Sequence, residues 1–157
     1  MRKIRVVCIG KTQDAYLMEG IKIFEKKLKR FCSFSWVFVK EAAYKKGNKN
    51  NWLAEENDRL QKTLGPGHFT IACDEKGQTH TSPKLAGLFQ SIANSGHSQI
   101  DFIIGGAYGL PQEILQKANL KLSLSEMTFT HQMIRLLLIE QIYRAFTILN
   151  NIKYHHE

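Results

Sequence analysis

Short runs of consecutive apolar residues alternate along the chain with longer stretches whose apolar positions recur every three or four residues. Ile4 to Ile9 is apolar but for Arg5, a short run of the kind a strand buried on both faces requires. Tyr16 to Phe31 follows with Leu17, Ile21, Phe24 and Leu28 on one helical face and Lys22, Lys26 and Lys29 opposite. Phe34 to Val39, aromatic and β-branched, reads as a second strand, and Lys45 to Asn51 as a polar, basic loop. Trp52 to Leu64 returns to helical spacing and stops at Gly65-Pro66-Gly67. His68 to Cys73 is a third strand, ended by a turn at Asp74-Glu75-Lys76-Gly77. Ser82 before Pro83 is a candidate N-cap for a helix running to about Ala93. Ile100 to Ile104 is a fourth strand, Pro111 to Ala118 a short helix, Leu120 to Leu124 a fifth strand, and Thr130 or His131 to Asn150 the closing helix.

This alternation predicts an α/β fold: a mostly parallel sheet with helices on both faces and ligands at the carboxyl ends of the strands. The closing helix contains Leu136-Leu137-Leu138-Ile139, which spans every side of a helix rather than one stripe. The surplus apolar surface predicts packing on a second copy of the chain, a homodimer.

At 157 residues the chain reads as one domain, 1–157, able to bury a core without disulfides. No apolar run approaches the roughly 18 residues of a membrane span, and the N-terminus lacks the apolar segment of a secretory signal. The expectation is a cytoplasmic protein. Cys8, Cys32 and Cys73 have no C-x-x-C spacing and read as reduced core thiols. The net charge of +8 points to a polyanionic partner, with positives concentrated in Lys22 to Arg30, in Lys40 to Lys49, and at Arg135, Arg144 and Lys153. For Lys45 to Lys49, contact with RNA backbone and a merely solvated loop are both open readings.

The glycine-rich turn comes late. Strand one ends in Gly10-Lys11-Thr12 without a glycine cluster, whereas strand four runs into Gly105-Gly106-Ala107-Tyr108-Gly109-Leu110. A nucleoside-like ligand is therefore expected in C-terminal loops, and the missing N-terminal glycine loop counts against a dinucleotide oxidoreductase. Glu140 and Arg144, spaced i, i+4, can form a helix salt bridge, and His131 reads as a structural hydrogen-bonding group near the start of its helix. His155, His156 and Glu157 lack metal-ligand spacing, so no metal is expected.

Ile103 to Leu110, Leu122 to Phe129, His131 to Arg135, Glu140 to Ala145 and Tyr154 to Glu157, taken in order, resemble the SPOUT-type large-subunit ribosomal RNA pseudouridine N3-methyltransferase H family. The resemblance covers essentially the whole chain. It implies a C-terminal trefoil knot, which periodicity cannot show, and S-adenosylmethionine held by Cys73, Gly105, Leu124, Ser125, Glu126, Met127, Thr128 and Phe129. It implies methylation at N3 of a pseudouridine in 23S ribosomal RNA of the assembled ribosome. Tyr154 and His155, with Arg135 and Arg144, are the residues it puts forward for positioning the base and for the developing imidate. Two positions depart from the family pattern: Thr130 stands where proline is common, which is expected to loosen the start of the closing helix, and His156 where Arg or Lys is usual. The competing reading is a basic RNA-binding or ribosome-assembly module that keeps the scaffold without chemistry.

Overall fold

The structure is a computed structural model that describes residues 2–156. Five strands, β1 (Arg2–Ile9), β2 (Cys32–Val39), β3 (His68–Thr79), β4 (Gln99–Ile104) and β5 (Leu120–Ser123), form one sheet in the order β2-β1-β4-β3-β5. Every pairing is parallel, so the expected mostly parallel sheet is wholly so. The helices are α1 (Ala15–Leu28), α2 (Lys49–Thr63), α3 (Ser82–Asn94), α4 (Gln112–Lys117) and α5 (Met133–Leu149).

The two-residue period of the strands divides the core. Ile4, Val6 and Cys8 of β1, with Ile100, Phe102 and Ile104 of β4, pack under α1, α3 and α5. Val7, Ile9 and Ile103 point the other way, to Leu60 of α2 and Ile114 of α4. Both faces are covered, which is why these strands are apolar at nearly every position. On the α2 side, the register pair Arg5 and Asp101 replaces an apolar contact by a two-pronged ion pair, Nε to Oδ1 at 3.0 Å and Nη2 to Oδ2 at 2.6 Å. His68 Nδ1 lies 3.0 Å from the same fully buried carboxylate.

Four local expectations are corrected. Asp74 to Gly77 does not end its strand: Cys73 and Gln78 both pair with Leu122, so the four residues are an outward bulge within β3. Lys49 to Asn51 belong to α2, because the Asn48 side chain caps that helix by accepting from the Asn51 N–H at 3.1 Å. The cap of α3 is Thr81, whose hydroxyl accepts from Lys84 N–H, while the Ser82 hydroxyl donates to Gln141 at 2.7 Å. Thr130 does not loosen the start of α5: its hydroxyl accepts from the Met133 N–H at 3.1 Å. Leu138 and Ile139 are buried within the chain, and Leu136 lies against Gly20 of α1, leaving a smaller apolar surplus on α5 than the sequence implied.

Candidate functional site

At the carboxyl ends of β4 and β5, beside the bulge within β3, the chain opens into a cavity of about 590 Å³, within the size range of sites that hold drug-sized ligands. One wall is the turn after β4. The Gly109 N–H donates to the Gly106 carbonyl at 3.1 Å, folding the turn back on itself. A Cβ on Gly105 would lie 2.5 Å from the Gly109 carbonyl carbon, and Gly109 itself has φ of +81°, so close approach fixes the first glycine and a left-handed backbone the second.

A second wall is the segment after β5. Ser123 donates its hydroxyl to the Ser125 carbonyl at 2.8 Å, and the Ser125 hydroxyl accepts from the Met127 N–H at 2.9 Å. Short side chains that bond their own backbone hold this loop without regular structure. The β3 bulge supplies Cys73, Asp74 and Glu75, and α5 supplies Ile134, with His131 just before its first turn.

Of the residues put forward for the cofactor, Cys73, Gly105, Leu124, Ser125, Met127, Thr128 and Phe129 line this cavity, and Glu126 does not. Met127 is 75% exposed and Phe129 40%, an unusual apolar display. His131 also lines it rather than serving only as a structural residue. Burial, and then the charge of Arg135, pushes its pKa down, which favours the neutral imidazole. Burial raises the Cys73 thiol well above its ordinary value and pushes Cys8 and Cys32 up to about 12, so all three are thiols at neutral pH.

The residues put forward for chemistry divide into two places. Glu140, Arg144, Tyr154 and His155 form one cluster. Arg144 donates to the Glu140 carboxylate through both Nε and Nη2, the Tyr154 hydroxyl donates to Glu140 Oε1 at 3.0 Å, and the guanidinium lies 4.7 Å from the centre of the Tyr154 ring. Arg144 Nη1 is 3.3 Å from His155 Nδ1. A guanidinium can only donate, so Nδ1 is the acceptor in this contact. Burial, then the hydrogen bond to Glu140, pushes the Tyr154 phenol up to about 12.

Arg135 stands apart from that cluster. Fully buried, it donates to the Ile9 carbonyl at 2.9 Å and to the Thr12 hydroxyl at 3.1 Å. One turn earlier, Gln132 accepts from the Gln13 N–H at 3.0 Å and donates to the Lys11 carbonyl at 3.1 Å. Together they clamp the start of α5, and with it His131 and Ile134 on the cavity wall, to the loop after β1.

Sequence reasoning did not single out Asp74 or Glu75 for the cavity, nor Tyr108 and Lys49, which also line it. A charged turn looks the same in sequence whether it leaves a sheet or bulges from it. The place of Asp74 and Glu75 thus has no local signal.

A parallel α/β sheet whose ligand cavity is built from the loops after its fourth and fifth strands, with no glycine turn after the first, defines a class distinct from the Rossmann dinucleotide binders. Residues 2–155 match the family model described as Predicted SPOUT methyltransferase, and the chain belongs to that family. The family is one of methyltransferases and its members work with a methyl donor. The chain is 43% identical over 162 residues to a protein of Desulforamulus reducens called ribosomal RNA large subunit methyltransferase H, covering 99% of each chain. It is 42% identical over 154 residues to a protein of the same name from Syntrophotalea carbinolica, covering 98% of this chain and 99% of that one. A solved structure, a probable methylase family protein from Haemophilus influenzae, superposes with a TM-score of 0.59 at 13% identity, over 99% of this chain and 71% of the other, and shows the likeness of fold.

Proposed function

We propose that this protein is an S-adenosylmethionine-dependent methyltransferase that modifies N3 of a pseudouridine in 23S ribosomal RNA, on the assembled ribosome in the cytoplasm. The observation that carries this reading is the cavity itself: its walls are the Gly105 turn, the segment Leu124 to Phe129 and the acidic bulge Asp74-Glu75. The lining fits S-adenosylmethionine, which is net cationic and flat at one end: Asp74 and Glu75 supply negative charge, and Gly105, which has no room for a side chain against Gly109, keeps the turn tight. Bound there, it supplies a methyl group on a positively charged sulfur.

The chain's own task is to hold the base in line and to favour its N3 anion. N3 is an imide nitrogen that must lose its proton to solvent or a base before it accepts the methyl, and the negative charge then spreads onto the flanking carbonyl oxygens. Arg144 supplies fixed positive charge, in one hydrogen-bonded group with Tyr154, Glu140 and His155. Tyr154 stays protonated at neutral pH, so it serves as donor and orienter rather than as the base. Arg135 positions the α5 wall without touching substrate.

None of Glu140, Arg144, Tyr154 or His155 lines the cavity of its own chain. This supports a homodimer, one 157-residue domain per protomer, in which the tail of one copy completes the cavity of the other. Exposed Met127 and Phe129 at the cavity rim are apolar surface for such a contact. Among the described residues no group of His, Cys, Asp and Glu could hold a metal ion, and no helix is long and apolar enough to cross a membrane.

The test is to incubate the purified protein with labelled S-adenosylmethionine and ribosomes lacking native modification, and to map the label in the large RNA by mass spectrometry. Label on N3 of a pseudouridine is the expected result. Tight ribosome binding without transfer would turn the reading to the non-catalytic assembly module.

A further inference from the structure

Three aromatic rings meet beside the cavity. Tyr44, just ahead of the basic loop, and Trp52 on α2 both pack on Tyr108 of the glycine turn, with ring centres 5.0 Å apart in each case. Tyr44 and Trp52 are 5.3 Å from each other, which closes the triangle. Two of its members, Tyr44 and Trp52, are tied down from behind. The Tyr44 hydroxyl donates to the buried carboxylate of Glu56 at 2.7 Å, and the Trp52 indole N–H donates to the Lys46 carbonyl at 2.7 Å. A side chain at Gly106 would meet the Tyr44 oxygen at 2.9 Å, so the triangle is seated directly on the glycine wall.

Tyr108 is 41% exposed although it is held by two rings, and both meet it tilted, at 68° and 47°, rather than in a parallel stack. It is a rigid aromatic surface at a ligand cavity with no flat ring stacked on it among the described residues. Lys49 lines the same cavity, and exposed Lys45 and Lys46 stand on the loop that Trp52 holds.

Resting on the methyltransferase reading above, we propose that Tyr108 is the stacking platform for an unpaired RNA base next to the one methylated, with Lys49 neutralising the phosphate between them. Aromatic faces bind unstacked bases regardless of sequence, and a ring already fixed by its neighbours loses little freedom on doing so. Charge selects RNA over the adenine of the cofactor. S-adenosylmethionine is net cationic and is repelled by lysines, whereas RNA phosphate is drawn to them; the acidic residues of the cavity, Asp74 and Glu75, lie on the β3 bulge instead.

The experiment uses the full chain, S-adenosylmethionine and unmodified ribosomes. Tyr108→Ala should raise the KM for ribosomes about tenfold or more, the value of one lost base stack, while kcat changes little and calorimetric affinity for S-adenosylmethionine without RNA is kept. Tyr108→Phe, which keeps the ring, should restore the wild-type KM. Lys49→Gln should lower the salt slope of ribosome binding by about one. Retained cofactor affinity also shows that a variant is folded. The proposal is overturned if Tyr108→Ala weakens S-adenosylmethionine binding and leaves the ribosome KM alone, since the ring then serves adenine, or if it changes neither. Wild-type protein that binds S-adenosylmethionine but transfers no methyl to any ribosome overturns both this proposal and the reading it rests on.

Discussion

The guanidinium of Arg135, on the first turn of α5, donates to the main-chain carbonyl of Ile9 at the end of β1, 126 positions away in sequence. Through this bond the last helix is indexed to the first strand. Burial lowers the pKa of Arg135, but an arginine that starts above 12 stays charged. Arg135→Ala would leave the Ile9 carbonyl and the Thr12 hydroxyl unpaired beside a void, and should destabilise the fold by about 3 kcal/mol. Urea denaturation measures it, and a loss under about 1 kcal/mol would show that the clamp is dispensable.

Gly105→Ala should abolish methyl-donor binding while the protein stays folded. The new Cβ would fall 2.5 Å from the Gly109 carbonyl carbon and 2.9 Å from the Leu110 nitrogen, both backbone, so the turn must open and the cavity wall must move. Calorimetry with S-adenosylmethionine reads the loss, and unchanged affinity would mean that the turn is not the wall.

Acid should weaken the fold through Asp101. Burial raises this carboxyl, but hydrogen bonds from Arg5, Gln99 and His68, with the charge of Arg5, outweigh it and leave the pKa below the ordinary carboxylate value. A group depressed in the folded state stabilises fully above its unfolded pKa, near 3.9, and loses that contribution as pH falls through the folded value. Stability should therefore decline below about pH 4, and Asp101→Asn should flatten the decline while lowering stability at pH 7. Denaturation curves between pH 2 and 7 check both.

Tyr154→Phe keeps the ring beneath Arg144 and removes the hydrogen bond to Glu140. Hydrogen bonds to charged groups are worth about 1.5–3 kcal/mol, so kcat for ribosome methylation should fall about 10- to 100-fold with S-adenosylmethionine affinity kept. The phenol's contribution to stability is complete below the ordinary tyrosine value near 10 and is lost as pH rises toward about 12. Ultraviolet titration of the wild type against the variant should place the missing phenolate transition at that end.

Thr130→Ala should cost about 1 kcal/mol of stability by removing the hydroxyl that accepts from Met133 N–H. Thermal denaturation suffices, and no change would return the position to the role of a passive linker.

The strands were legible because burial on both faces leaves a run that is apolar but for one residue, Arg5 in Ile4 to Ile9 and Asp101 in Ile100 to Ile104, and these two pair with each other. The bulge at Asp74 to Gly77 was not, because strand pairing on its far side depends on β5, some 45 residues later. Lys49 to Asn51 escaped because a polar helix start carries no apolar stripe, and its signal, Asn48 capping Asn51, is a hydrogen bond rather than a period. In the site, the order of the C-terminal motifs brought the cavity residues into view. The burial of Arg135 had no such mark, since an arginine on a helix is ordinarily solvated and only its contact with β1 makes it interior.

The late position of the glycine turn has a bearing on synthesis. Chains emerge from the N-terminus, and domains fold as enough of them becomes available. When β1 to β3 have emerged, the central place in the sheet between β1 and β3 is still empty, since β4 fills it. The cavity walls at Gly105, Leu124 and Ile134 come later again, and the Arg144, Tyr154 and His155 group later still. A nascent chain thus has no such cavity until the segment through Ile134 has emerged, whatever part of the sheet has already formed.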